Sequence, residues 1–396
     1  MKLQDEIVIV EGVRTPYGAF GGSLKDFSAT DLAVEASKAV LQRVGCDPER
    51  IEHVIFGNAL QTSPDAIYLA RHVGLKTGVP QGVPAVTVNR LCGSGFESII
   101  QAARHITLGE EEVILAGGTE SMSQAPHCLW GARWGSLRLA DGKMVDLLWT
   151  ALTDSYSGCS MAQTAENLAD RYHITRAAAD EYAYRSQMAA RAAWEEGRMA
   201  EEVEPITLRT KKGEKDFNWD EHIRPDTTPD KLAKLAPYFK KDGTVTAGNA
   251  SGICDGAAAV IVTTATRAEQ EGWEPIGRLL GWGTAGVEPD IMGIGPVASS
   301  RKALQDTGMS LDQMALVEIN EAFASQYLAV EQEMGLDRKI TNVNGGAVAI
   351  GHPLASSGTR LTLTIIKELQ RRNERYGLAS ACIGGGQGAA VIVEAL

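Results

Sequence analysis

An α/β fold made of two similar halves is what this chain predicts, and three observations carry the prediction. Short apolar runs alternate with amphipathic stretches at the start, the rhythm of parallel sheets covered by helices. After a long stretch of different character the same rhythm returns. Each rhythmic part also holds one reactive residue at a matching point of the repeat.

In chain order, IVIVEG (7–12) reads as a strand, DLAVEASKAVLQRVG as a helix and HVIFGN (53–58) as a second strand. AVTVN (85–89) comes next, then a helix from Gly93 to about Leu108, then the strand EVILAGG (112–118). From about Thr119 to Lys241 the pattern changes. Trp130, Trp134 and Trp149, two charged helices (162–171 and 176–197) and a Lys/Asp-rich segment replace the strand–helix rhythm. The segment KKGEKDFNWDEHIRPDTTPDKLAKL reads as loops and short helices. We read this region as an insertion capping the core. After TVTAGNASG the strand AAAVIVTT (257–264) resumes the first half. The expected division is a first half over 1–118 and 251–272, an inserted domain over 119–250 and a second half over 273–396.

The halves run in parallel. One strand ends at Asn58 and a glycine-framed Cys92 follows; LVEIN ends at Asn320 and His352 follows at nearly the same spacing. After each come a helical stretch and a strand opening into glycines, VILAGGTES and LASACIGGG. A pseudo-twofold pair of halves would bring Cys92 and His352 together, each at a strand-to-helix turn.

Composition bounds the function. Hydrophobic residues make up 44% and charged residues 22% of 396, a globular balance. The net charge of −12 argues against a general nucleic-acid binder, which needs a basic face. Six cysteines without a CxxC pair or regular spacing suit reduced thiols rather than a disulfide scaffold. No apolar run approaches the roughly 18–20 residues of a membrane span. The N-terminus MKLQDEIVIVEGVRTPYG reads as neither a signal peptide nor an Arg-rich presequence, so the expectation is a soluble intracellular protein.

Three glycine-framed segments carry the chemistry: NRLCGSG with Cys92, GGAVAIGHP with His352 and CIGGGQG with Cys382. Cys92 follows a strand and precedes a helix, where N–H groups and the macrodipole favour thiolate; the bland alternative is a small buried hydrophobe. His352 would be a base that activates the thiol, or a histidine capping a turn. Cys382 stands at a strand end beside a tight turn. Asn320 could hold a water or an oxyanion, or only form a turn. GSGFES approaches a dinucleotide fingerprint, but Ser98 replaces its third glycine and no acid follows at the required place. A metal on Cys92, His352 and Cys382 lacks paired short-range ligands.

NRLCGSGFES, AGGTESMS, TAGNASG, NEAFA, NVNGGAVAIGHP and CIGGG stand in the order of one family, and the match extends from VRTPYGAFGGSLKDF to the C-terminus. The chain resembles a thiolase. SPDAIYLARHVGL, LWTALTD, DEHIRPDTT, MGIGP, SQYLAVE and GGGQG are most similar to the degradative, mitochondrial-type 3-ketoacyl-CoA thiolases. The resemblance implies a five-layer αβαβα fold of two similar halves with a loop domain inserted in the first.

It also implies roles. Cys92 is the nucleophile, His352 its base and Cys382 the acid and base for the α-proton. One oxyanion site combines His352 with a water held by Asn320; the other uses the backbone N–H groups of Cys92 and Gly384. Arg224 is expected near the adenine nucleotide of CoA, Ser251 and Ala247 along the pantetheine channel, and Leu152, Met161, Phe239 and Phe323 on its apolar walls. CoA and acyl-CoA are then substrates, with no resident cofactor and no metal. A homodimer or dimer of dimers is implied, in a bacterial cytoplasm or, alternatively, a mitochondrial matrix. The other readings are a biosynthetic acetoacetyl-CoA thiolase and, more remotely, a non-catalytic thiolase-like lipid-binding protein. Two departures stand out. Ala355 and Ser356 follow GHPL where the family usually has Gly-Ala or Gly-Gly, and Ser160 replaces a histidine common in acetoacetyl-CoA thiolases.

Overall fold

The computed structural model describes residues 5–135, 143–211 and 213–396. The first four residues of the N-terminal segment, and Lys212 in the charged segment, lie outside these. In the first half, β1 (Ile7–Arg14), α1 (Ala29–Val44), β2 (His53–Gly57), α2 (Leu69–Thr77), β3 (Ala85–Val88), α3 (Ser94–Leu108) and β4 (Ile114–Ser121) follow one another. The chain then leaves the sheet. It forms α4 (Met161–Arg171), α5 (Arg176–Glu195) and a hairpin of β5 (Ile206–Thr210) and β6 (Gly213–Phe217), and returns in β7 (Cys254–Thr264). The second half holds β8 (Gly277–Gly286), α6 (Gly295–Thr307), β9 (Leu316–Ile319), α7 (Ala324–Met334), α8 (Ser357–Arg372), β10 (Tyr376–Ile383) and β11 (Gln387–Ala395).

The hairpin corrects the expectation of loops and short helices for the charged segment. ITLRT and GEKDF pair in register from Ile206↔Phe217 to Thr210↔Gly213. Gly213, at φ 114°, supplies the positive backbone angle at the bend. Charged side chains hid the strand because β6 is exposed except at Phe217.

The strands run in the order β9-β10-β11-β8-β1-β7-β4-β2-β3. Among the described residues, the pairs Val8↔Arg278 and Ile9↔Gly277 join the two half-sheets. Within each half the sheet is buried on both faces, and successive side chains divide between two cores. Val54 and Phe56 of β2 pack with Leu32 and Val40 of α1 and Val73 of α2. Ile55 instead joins Ile99 and Ile100 of α3 and Leu361 and Ile365 of α8. That second core also takes in Ala381, Val391 and Val393 from the other half, so α3 and α8 lie between the half-sheets. On the far side Val297 and Leu304 of α6 and Leu328 of α7 pack against Ile319, Leu378 and Ile392. The layers therefore read αβαβα.

The halves match strand for strand with one exception. Where the first has β3 beside β2, the second has a single parallel bridge, Val317↔Thr341. The fully buried Arg14 is paired: it meets Glu202 at 2.6 Å and Asp220 at 2.8 Å, tying the excursion to β1.

Candidate active site

Cys92 is presented by strain. The chain leaves β3 at Val88, and Leu91 takes φ 47°, a left-handed conformation that leucine rarely adopts. Asn89 Oδ1 accepts from Leu91 N at 2.9 Å, and Ser94 Oγ accepts from Arg90 N at 2.8 Å. Leu91–Gly93 form a short 3-10 turn before α3. Cys92 sits inside that turn, half-buried. The backbone N–H groups of Gly384 and of Cys92 itself both reach its sulfur.

The expected lowering of this thiol is overturned. Burial among protein walls pushes it up to about 11, against the pull of those two N–H groups. The resting side chain is a thiol, and a base would be needed to turn it into a nucleophile.

His352 lines the same cavity as Cys92. It lies between a short helix, Ala347–Ile350, and α8, so its setting is not the strand-to-helix turn expected from the repeat. Burial, then the charge of Arg360, depress its imidazole to about 3, which keeps it neutral. Nδ1 lies 2.6 Å from Ser357 Oγ, which donates onward to Pro353 O. Asn320 Nδ2 approaches Nε2 at 3.3 Å. Together these contacts suit the tautomer with the proton on Nδ1 and a lone pair on Nε2. Asn320 is fully buried, and its Oδ1 has no protein partner.

Cys382 ends β10, buried against Met292 and Ala322, with Met161 and Phe323 beside it. Burial raises its thiol, and so does its closeness to Cys92. The turn that follows is made by Gly384, Gly385 and Gly386. The last two have φ 80° and 81°, and a Cβ on Gly386 would strike Val287 O. Only glycine fits there, and the turn it allows brings Gly384 N–H to Cys92.

Cys92, His352 and Cys382 all line one cavity of about 450 Å³. Its walls include Leu152, Met161, Phe239, Phe323, Ala247 and Ser251 from the expected set, joined by Trp149, Tyr238 and Met292. Ser251 N donates to Ala322 O at 3.0 Å, which stitches the TAGNASG segment to the loop after β9. Arg224 is not among the lining residues; it is exposed, beyond Ile223 and His222, and His222 packs under Gly252 of the cavity wall. Asn320 stands behind His352 rather than on the wall.

The two departures resolve without strain. Ala355 is absent from the positive-φ residues, so its side chain is tolerated. Its N–H donates to Glu120 Oε2 at 3.2 Å, and its carbonyl lies over Gly118 and Gly95, where any Cβ would collide. Ser356 Oγ pairs with Tyr17 OH at 3.0 Å inside the core. Ser160 lines the cavity but also caps α4 in a reciprocal box with Gln163.

Several supporting residues escaped the sequence reading. Glu120 accepts from Asn58 Nδ2 and from the N–H groups of Leu60 and Ala355. Burial lifts its carboxyl to about 7 despite those donors. Glu321, in the loop after β9, holds Tyr182 OH, Ser186 Oγ, Asn342 Nδ2 and Val348 N–H. Both acids stand inside quoted motifs, GGTES and NEAF, which was the available signal.

The thiolase N-terminal domain family model matches residues 7–266, and the thiolase C-terminal domain model matches residues 273–395. The human mitochondrial 3-ketoacyl-CoA thiolase is 52% identical over 100% of this chain and 99% of its own. An acetyl-CoA acetyltransferase of Syntrophomonas wolfei is 46% identical over 99% of each. A crystal structure of the human mitochondrial enzyme in complex with CoA superposes with a TM-score of 0.97 at 51% identity, covering 100% of this chain and 99% of that one. The chain belongs to the thiolase family, and its layered fold is the thiolase fold.

Proposed function

We propose that this protein is an acyltransferase that cleaves 3-ketoacyl-CoA with CoA, giving acetyl-CoA and a shortened acyl-CoA, and that it runs the reverse Claisen condensation. The observation that carries the reading is the single cavity onto which Cys92, His352 and Cys382 open together.

His352 Nε2 takes the Cys92 proton, and the thiolate attacks the 3-keto carbon. The resulting alkoxide collapses, the C2–C3 bond breaks and its electron pair becomes the acetyl-CoA enolate. Cys382 gives its proton to C2, releasing acetyl-CoA. The Cys382 thiolate then deprotonates incoming CoA, whose sulfur displaces the acyl group from Cys92. Cys92 leaves as thiolate and recovers its proton from His352.

Negative charge gathers on oxygen at two places. The N–H groups of Cys92 and Gly384, already turned toward the sulfur, suit the oxyanion on the acyl-cysteine side. His352, once protonated on Nε2, suits the enolate oxygen with a water held by Asn320, whose Oδ1 has an open acceptor position. CoA enters as substrate, and no step needs a resident cofactor. Ser251 and Ala247 border the pantetheine path and Arg224 the nucleotide end, where a cation suits phosphate.

Steady-state thiolysis of acetoacetyl-CoA and of a medium-chain 3-ketoacyl-CoA tests this reading. We expect turnover on both and the higher kcat/KM on the longer chain. Preference for acetoacetyl-CoA would overturn the degradative subtype, and no CoA-dependent cleavage of either would overturn the function.

The same reading makes the protein a homodimer or dimer of dimers in a reducing compartment, a bacterial cytoplasm or a mitochondrial matrix. Support comes from the six free cysteines and from the edge strand β3, where Val86 is exposed. No helix among the described residues is long and apolar enough to cross a membrane. Sedimentation equilibrium would show a monomer if the assembly is wrong.

A further inference from the structure

Among the described residues, one group of histidines and acids has the spacing of metal ligands, and it lies away from the cavity. His53 opens β2, His105 sits in the last turn of α3, and Glu110 and Glu111 follow in the link to β4. Cys92 precedes the other end of α3. A helix of that length puts roughly 20 Å between the cluster and the nucleophile.

The contacts are close and convergent. His53 Nδ1 lies 3.0 Å from one oxygen of Glu111, and His105 Nδ1 lies 2.9 Å from the other. Glu110 Oε2 approaches the same His105 nitrogen at 2.8 Å. One imidazole N–H is thus addressed by two carboxylates, more negative oxygen than a single proton can satisfy. The rings stand 4.9 Å apart, tilted by 62°, so neither blocks the other's nitrogen. His53 is 7% exposed, and its Nε2 has no partner, so the ring is held by its Nδ1 side alone.

We propose that His53, His105 and Glu111 bind a divalent transition-metal ion of the zinc class. Two imidazole nitrogens and one carboxylate, with a fourth position left for water, form a ligand set that zinc accepts, and Glu110 beside His105 adds negative charge nearby. Bonds of about 2.0–2.2 Å around a tetrahedral ion separate ligand atoms by roughly 3.3–3.5 Å. The ligand atoms of His53, His105 and Glu111 all lie within 4.8 Å of one another, so closing on an ion takes side-chain shifts of about 1 Å. The ion would tie the start of β2 to the end of α3 and the link behind it, a structural role remote from the chemistry.

Metal binding to the chelator-stripped full-length protein tests the proposal, with Zn2+ by calorimetry and Co2+ by absorption. The active-site thiols are the competing ligands, and Co2+ separates the two: nitrogen and oxygen ligands give d–d bands without a sulfur-to-cobalt charge-transfer band. We expect one equivalent of Zn2+ and a sulfur-free Co2+ spectrum. His105→Ala should weaken binding by more than the roughly 10–100-fold that loss of a mere supporting group costs. Metal-free thiolase turnover should stay unchanged. Glu111→Gln, which keeps the size of the side chain, should weaken Zn2+ as well. No binding, equal affinity in both variants and wild type, or a Co2+ spectrum dominated by sulfur would each overturn it.

Discussion

The same connection in the two halves has been put to opposite uses. In the first half the chain leaves β4 at Ser121 and does not regain the sheet until Cys254. In the second, β10 turns into β11 through three glycines. The long excursion supplies apolar cavity wall, including Leu152, Met161 and Phe239. The short turn supplies no wall but aims a backbone N–H at Cys92. In the function we propose, this connection adds substrate wall in one half and a polarising N–H group in the other.

The reactive residues are divided in the same way. Cys92 rests on a complete strand and a strained left-handed leucine, open to the cavity. His352 has only an isolated bridge in place of the matching strand and is held by side chains, with Ser357 and Asn320 on its two nitrogens. Cys92 is positioned by backbone and His352 by a hydrogen-bond chain.

Variants can break this division, and the largest effect is expected in the second half. Cys382→Ser should still take an acyl group on Cys92 yet lose roughly 10²–10⁴-fold in α-proton exchange on acetyl-CoA, the range of a general acid–base group. Retained exchange would assign the proton to another residue. Gly386→Val forces a β-branched residue to φ 81° against Val287 O and should displace Gly384 N–H. We expect kcat to fall on the order of 10²-fold, the scale of one oxyanion donor, with KM little changed. A rise in KM alone would make the turn a binding element instead.

The base should leave a mark on stability. His352 titrates near 3 when folded against an ordinary 6.5, so between those values the unfolded chain takes up a proton that the folded protein refuses. Stability from this group falls as pH drops through that window. Glu120 and Glu318 run the other way: burial lifts them to about 7 and about 8, so they favour the folded state at low pH and lose that as pH rises. The difference between wild type and His352→Gln isolates the histidine. Denaturant unfolding should show wild type losing ground to the variant as pH falls from 6.5, and a flat difference would contradict a neutral buried imidazole.

The smallest effects belong to the loop after His352. Ser356→Ala leaves Tyr17 OH buried without its partner and should cost about 1–3 kcal/mol. Ala355→Gly removes no contact that needs the methyl and should cost at most about 1 kcal/mol, with kcat unchanged. A large loss of activity in the glycine variant would mean that this loop is under strain.

Much of this was legible in the residues. Glycines crowding Cys92, His352 and Cys382 marked where backbone approaches reactive atoms, and apolar alternation marked strands buried on both faces. What periodicity could not reveal was burial of charge. Glu120 and Glu321 went unremarked because their partners, backbone N–H groups and polar side chains, lie far along the chain. The Cys92 thiol was misread for a related reason: the helix end was visible, but the enclosing walls come from the distant excursion. The β5–β6 hairpin escaped because an exposed strand of charged residues carries no alternation.

The central claim is that Cys92, and no other residue, carries the acyl group between the two half-reactions. Intact-mass analysis after mixing with acetyl-CoA tests it most directly. Wild type should gain one acetyl group, and Cys92→Ser should gain none under the same conditions. An adduct that persists in Cys92→Ser, or is absent from both proteins, would contradict the account.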